Sequence, residues 1–187
     1  CIRDSTYAVQ DGLPSNSIRD ITQSNDGTLI IACYKAGVAK FDGKKFTLYD
    51  DGLDDKRVIL LENGFDGEIW AGTESAGIGV LEQDQFKMIR DSDGLAHNEM
   101  FSLYNDGKRM WAGTFGGGVS CFHDNTWFTL RESDGLNSNT VGSIVSIDEN
   151  TTMIGGTSGV SIFKTNNQKF SLEMGDILTP QEELSFD

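Results

Sequence analysis

Two histidines, three cysteines and 29 acidic residues are what this 187-residue chain offers to chemistry. Acid–base or nucleophilic work needs a His, Glu or metal cluster gathered on one site. Of the two histidines only His97 stands near a loop that could serve one, and His123 sits in a turn elsewhere. Cys1, Cys33 and Cys121 match no zinc spacing and contain no Cys-x-x-Cys. No catalytic residue, metal ligand or cofactor is therefore assigned. Binding is another matter. Ser15, Lys56, Arg57, His97 and Asn98, with Tyr34, Lys35, Glu74 and Phe115, combine aromatic faces, amides and both charges. That mixture suits a sugar or a small polar metabolite.

These nine residues share one property: they vary where the rest of the chain repeats. Asp-Gly-Leu occurs at Asp11, Asp51, Asp93 and Asp134, spaced by 40, 42 and 41 residues. Three residues beyond each Leu comes Asn16, Lys56, Asn98 or Asn139, and two later an apolar Ile18, Val58, Met100 or Val141. A polar turn follows, then a small-residue stretch such as Ile69-Trp70-Ala71-Gly72-Thr73 or Met153-Ile154-Gly155-Gly156-Thr157. Gly37-Val38, Gly77-Ile78, Gly118-Val119 and Gly159-Val160 lead the next stretch, and Phe46, Phe86, Trp127 or Phe170 closes each copy.

Four short apolar runs per copy, broken by Gly, Asp and Asn, read as four antiparallel strands joined by hairpins. A four-stranded sheet cannot bury both faces alone, and a period near forty points to sheets stacked radially. The fold class expected is all-β: a β-propeller with four consecutive four-stranded blades of about 41 residues. The blades span 11–50, 51–92, 93–133 and 134–176. Residues 1–10 are expected to be an outer strand of a preceding or closing blade, and 177–187 a polar tail. Open blade faces would be apolar, so these four blades are expected to form part of a larger ring or an arc that a second chain completes.

Within a blade the strands are A (from Ile18), B (from Leu29), C (from Val38) and D (around Phe46). Ala32, Gly72, Gly113 and Gly156 on strand B would let neighbouring sheets approach, with Trp70 and Trp111 filling the gap. Apolar residues three apart in strand A (Ile18 and Ile21, Val141 and Ile144) break the two-residue period and imply a bulge. In this order the D–A and B–C connections open on one face around the central channel. They carry all nine candidate residues. The Asp of Asp-Gly-Leu should cap its own turn, and Asn16, Asn98 and Asn139 should tie the loop to the neighbouring blade.

The third copy, with Trp111-Ala112-Gly113-Thr114 and Gly116-Gly117-Gly118-Val119, carries a likeness most clearly. The pattern Asp-Gly-Leu-x-x-Asn, then Trp-Ala-Gly-Thr, then Gly-Gly-apolar resembles the two-component regulator propeller repeat, from Tyr7 to about Leu172. The first copy departs from it, with Ile30, Ala32 and Cys33 for Trp, Gly and Thr, and Lys56 replaces an Asn in the second. The resemblance implies an extracytoplasmic, periplasmic or cell-surface, sensor region of a bacterial signalling receptor, taking a small polar or saccharide ligand. A protein-binding scaffold is the alternative, and a propeller lyase the less favoured one.

A net charge of −14 argues against nucleic acid and anionic membranes as partners. No run of eighteen apolar residues is present. Cys33 and Cys121 lie on apolar strands and are expected to be free and buried, while Cys1 could be the acylated first residue of a lipoprotein.

Overall fold

Among the described residues sixteen strands form four separate four-stranded antiparallel sheets, each a simple meander. The structure is a computed structural model that describes residues 5–166 and 169–174. Cys1 and the tail from 175 onward lie outside the described residues, as does the Phe170 side chain. The first sheet holds β1 (Ile18–Gln23), β2 (Leu29–Cys33), β3 (Gly37–Phe41) and β4 (Phe46–Tyr49). The second holds β5 (Val58–Asn63), β6 (Ile69–Thr73), β7 (Ile78–Glu82) and β8 (Gln85–Ile89). The third is β9 (Met100–Asn105), β10 (Met110–Thr114), β11 (Val119–His123) and β12 (Thr126–Leu130). The fourth is β13 (Val141–Ser146), β14 (Thr151–Gly156), β15 (Gly159–Asn166) and β16 (Lys169–Met174). The first strand of each sheet packs against the first strand of the next, so β1, β5, β9 and β13 surround an axis. This is the arrangement of a β-propeller.

The Asp-Gly-Leu motif is a device for turning from one sheet into the next. In three copies a carboxylate oxygen of Asp11, Asp93 or Asp134 accepts a hydrogen bond from a main-chain N–H three residues earlier, at 2.8–2.9 Å. The glycine then takes a left-handed conformation, φ 95–116°, which a side chain disfavours. The leucine drops into the core: Leu13, Leu53, Leu95 and Leu136 are all buried. The second copy lacks the 3-10 turn of the others. It also lacks the Asn that holds that turn.

Those asparagines do not act as expected. Asn16, Asn98 and Asn139 each accept, through Oδ1, a bond from the N–H of the residue seven positions earlier, at 2.9 Å. The side chain closes its own loop. The tie to the neighbouring blade is made instead by the main-chain carbonyl at this position. Lys56, Asn98 and Asn139 accept from the N–H of Gly37, Gly77 and Gly118 in the preceding sheet, at 3.2, 2.8 and 2.7 Å. A carbonyl is the same on any residue, so Lys56 can stand where the other copies have Asn.

Sheet-to-sheet contact is made where the small residues and tryptophans fall. A Cβ on Gly113 would come within 2.5 Å of the Val141 carbonyl oxygen of the next sheet. Trp70 packs on Phe122 and Trp127 of the third sheet, and the Trp111 ring meets Phe163 of the fourth edge-on at 5.3 Å. Both indoles are buried, and each donates its N–H to a carboxylate, Glu68 for Trp70 and Asp106 for Trp111. Cys33 and Cys121 are free and buried, and burial pushes the Cys121 thiol up to about 12.

Two local expectations need correction. Residues 5–8 form no strand, and Val9–Asp11 is a 3-10 turn. An outer strand needs a preceding strand C to pair with, and among the described residues there is none. In the fourth sheet β14 ends at Gly156 and Gly156 pairs with Gly159, so Thr157 lies in the turn. The B–C connection there has two residues, against three in the first sheet and four in the second and third.

Candidate functional site

Every first strand of a sheet carries the same irregularity. Register slips by one residue between Ile18 and Asp20, Val58 and Leu60, Met100 and Ser102, and Val141 and Ser143. The residue left over is Arg19, Ile59, Phe101 or Gly142. A bulge re-aims the side chain it carries, and here the extra residue joins the rim of the central channel. A main-chain bond fixes two further rim positions in each sheet. The residue just after strand B donates to the carbonyl of the residue just before strand A: Tyr34 to Ser17, Glu74 to Arg57, Phe115 to Glu99 and Thr157 to Thr140, at 2.9–3.3 Å.

From the first three sheets, these positions line a cavity of about 560 Å³: Arg19, Tyr34, Arg57, Ile59, Glu74, Glu99, Phe101 and Phe115, with Ser75 and Met100. The fourth sheet continues the rim with Thr140, Gly142 and Thr157. Ile59, Phe101 and Phe115 supply an apolar floor, on which the two phenylalanine rings sit 5.8 Å apart and are exposed. Opposite them lies a polar network.

That network is closely bonded. Asp55 holds Arg57 in a fork, Nε at 2.8 Å and one terminal nitrogen at 2.9 Å. The same terminal nitrogen donates to Ser75 Oγ at 2.7 Å, and the other reaches Glu74 Oε2 at 3.0 Å. Burial pushes the Asp55 carboxyl up, but bonds from Arg57 and Ser75 outweigh it and leave the group below its ordinary value. The Tyr34 hydroxyl donates to Glu74 Oε2 at 2.9 Å. This bond, followed by burial and the negative charge of Glu74, raises the phenol above its ordinary value. Arg19 lies with its guanidinium carbon 4.4 Å over the Tyr34 ring.

Of the nine candidates from sequence, the structure brings four together in the cavity: Tyr34, Arg57, Glu74 and Phe115. The Lys35 ammonium stands 5.7 Å from the Tyr34 ring, outside the lining. The other four are occupied elsewhere. Ser15 Oγ accepts from Ser17 N at 3.1 Å, and Lys56 pairs with Asp50. His97 Nδ1 accepts from Glu99 N at 3.1 Å, and Asn98 closes its loop. Arg19, Ile59, Glu99 and Phe101 were missed. The signal for them was the broken spacing in strand A: the bulge it implies places the second strand residue and the residue before the strand at the rim.

A scan against protein-family models finds no match, and no curated protein matches the sequence. Solved structures do match. The extracellular domain of a hybrid two-component system from B. thetaiotaomicron superposes over 87% of this chain with a TM-score of 0.75 at 21% identity. A second extracellular domain from the same organism, of a one component system, gives 0.68 over 89% at 15% identity. A streptogramin B lyase gives 0.62 over 90% at 19% identity, covering 57% of its length. Likeness at these identities is likeness of fold, and it agrees with the β-propeller. The chain spans about a quarter of the length of the two extracellular domains. No helix among the described residues is long and apolar enough to cross a membrane.

Proposed function

We propose that this chain is a ligand-sensing module of an extracytoplasmic bacterial receptor, and that a small polar or saccharide ligand binds at its channel mouth. One observation carries this: three rim positions per sheet, held by identical main-chain geometry, bear side chains that differ from sheet to sheet. Architecture explains the repeated residues but not the variable ones. An apolar floor facing a bonded network of charges is what a polar ring compound needs. The superposition on extracellular domains of signalling proteins supports the same placement. Binding is favoured over turnover because His97 stands outside the cavity lining and Arg57, Glu74 and Tyr34 are bonded to one another. Thermal unfolding against a panel of mono- and oligosaccharides and small acids tests this. A ligand should raise the midpoint of the chain and fail to raise that of Phe115→Ala. A shift that survives Phe115→Ala and Tyr34→Ala together would place binding elsewhere.

We also infer that the ring continues beyond these four sheets, through further blades or a second chain. Ile21 is 57% exposed where its equivalent Leu61 is 7%, and Val160 is 39% exposed where Val38 and Ile78 are 0%. These are blade-facing positions in the first and fourth sheets. Light scattering separates the two routes: a stable dimer favours a second chain, and a monomer favours further blades.

A further inference from the structure

The reading of the mouth as the ligand site is the premise for a sharper statement about the ligand. The cavity holds two cations of different standing. Arg57 is fully engaged by Asp55, Ser75 and Glu74. Arg19 is not. Among the described residues its side chain meets the face of Tyr34, and no carboxylate lies within ion-pair distance. A guanidinium stacked on a ring keeps its N–H donors at its edge, in the fork geometry that matches a carboxylate. The Tyr34 ring is itself held by Glu74, so the stacked arginine is positioned before any ligand arrives.

The rest of the cavity limits what can accompany that carboxylate. Phe101 and Phe115, with ring centroids 5.8 Å apart, are both exposed and present aromatic surface to a flat or puckered ring. Glu74 and Glu99 line the same space and disfavour a second negative group, while accepting hydrogen bonds from hydroxyls. We propose that the mouth binds a six-membered ring bearing a single carboxylate, with Arg19 receiving the carboxylate and Phe101 and Phe115 the ring.

Two sources share this chemistry, a sugar acid and an aromatic acid, and the test separates them. Binding of D-glucuronate, D-glucose and benzoate to the full chain is followed by NMR titration, with the Ile59 and Met100 methyl groups of the cavity lining as reporters. At least one acid should bind about tenfold more tightly than glucose, the weight of one charge-assisted contact. Arg19→Ala should erase that preference and Arg19→Lys retain part of it. Preference for glucuronate identifies a sugar acid, and preference for benzoate an aromatic one. Equal binding of all three probes, unchanged in Arg19→Ala, overturns the carboxylate assignment and leaves the mouth as a site. Failure of both acids to bind overturns the assignment too. If saturable binding moves no rim resonance, the mouth itself is the wrong place.

Discussion

Tyr34 and Glu74 stand forty residues apart at equivalent places in the first two sheets, and the phenol of one donates to the carboxylate of the other at 2.9 Å. Arg57 shares the same oxygen. One carboxylate thus joins two blades at the rim and sets the shelf on which Arg19 lies.

Replacing Glu74 by Gln should lower the pH at which Tyr34 ionises, because the bond to Glu74 is the largest cause of its raised value. Ultraviolet difference titration of the chain and the variant measures this. Stability should change by no more than about 1 kcal/mol, since the cluster is partly exposed. An unchanged phenol titration would show that the bond is not formed in solution.

A buried pair lies far from the rim. Arg109 and Asp106 meet at 2.7 Å with side chains 5% and 4% exposed, and Arg109 also donates to the Glu149 carbonyl of the fourth sheet at 3.1 Å. Burial pushes the Asp106 carboxyl up, but bonds from the Trp111 indole and the main chain, with the Arg109 charge, hold it below its ordinary value. Asp106→Asn should cost about 3–5 kcal/mol in urea unfolding, the penalty of stranding a buried cation. The pH dependence has a definite sign. A carboxyl lowered in the folded state contributes stability above its unfolded value, near about 3.9, and that contribution is lost as pH falls through the lower folded value. The variant should show a flatter acid limb.

Gly113 and Gly142 offer a matched comparison. A Cβ at Gly113 would meet Ser102 Oγ at 2.2 Å and the Val141 oxygen at 2.5 Å, whereas at Gly142 the nearest atoms are Phe101 ring carbons at 3.4 and 3.5 Å. Gly113→Ala should destabilise by about 1–3 kcal/mol through overpacking between sheets. Gly142→Ala should stay within about 0.5 kcal/mol. Equal effects would mean the two sheets do not approach at Gly113.

Most of the architecture was legible in the sequence because a propeller repeats its solution. Asp-Gly-Leu, the strand-B glycines and the tryptophans each perform one task several times, and four copies make the task visible. The bulge in strand A could also be read, from apolar residues three apart. Its consequence was harder to see. The slip turns Arg19, Ile59 and Phe101 to the rim, and of the loop candidates Lys56, Arg57, His97 and Asn98 only Arg57 lines the cavity, with Glu99 at the matching place in the third sheet. The function of the asparagines was hidden for a similar reason: the contact across sheets is made by a main-chain carbonyl, which leaves no mark on residue type. Arg109 and Asp106 escaped notice because an exposed turn and a buried staple use the same residue types.

The most direct test of the rim as a binding surface is combined methyl and backbone-amide NMR, read at Ile59, Met100 and the opposite end of the sheets, during titration with whichever compound raises the unfolding midpoint. Both residues line the cavity. Saturable shifts at Ile59 and Met100, with Ser146 and Lys108 at the opposite end undisturbed, are the expected outcome. Shifts confined to Tyr104, Lys108 and Ser146, with Ile59 and Met100 unmoved, would contradict it.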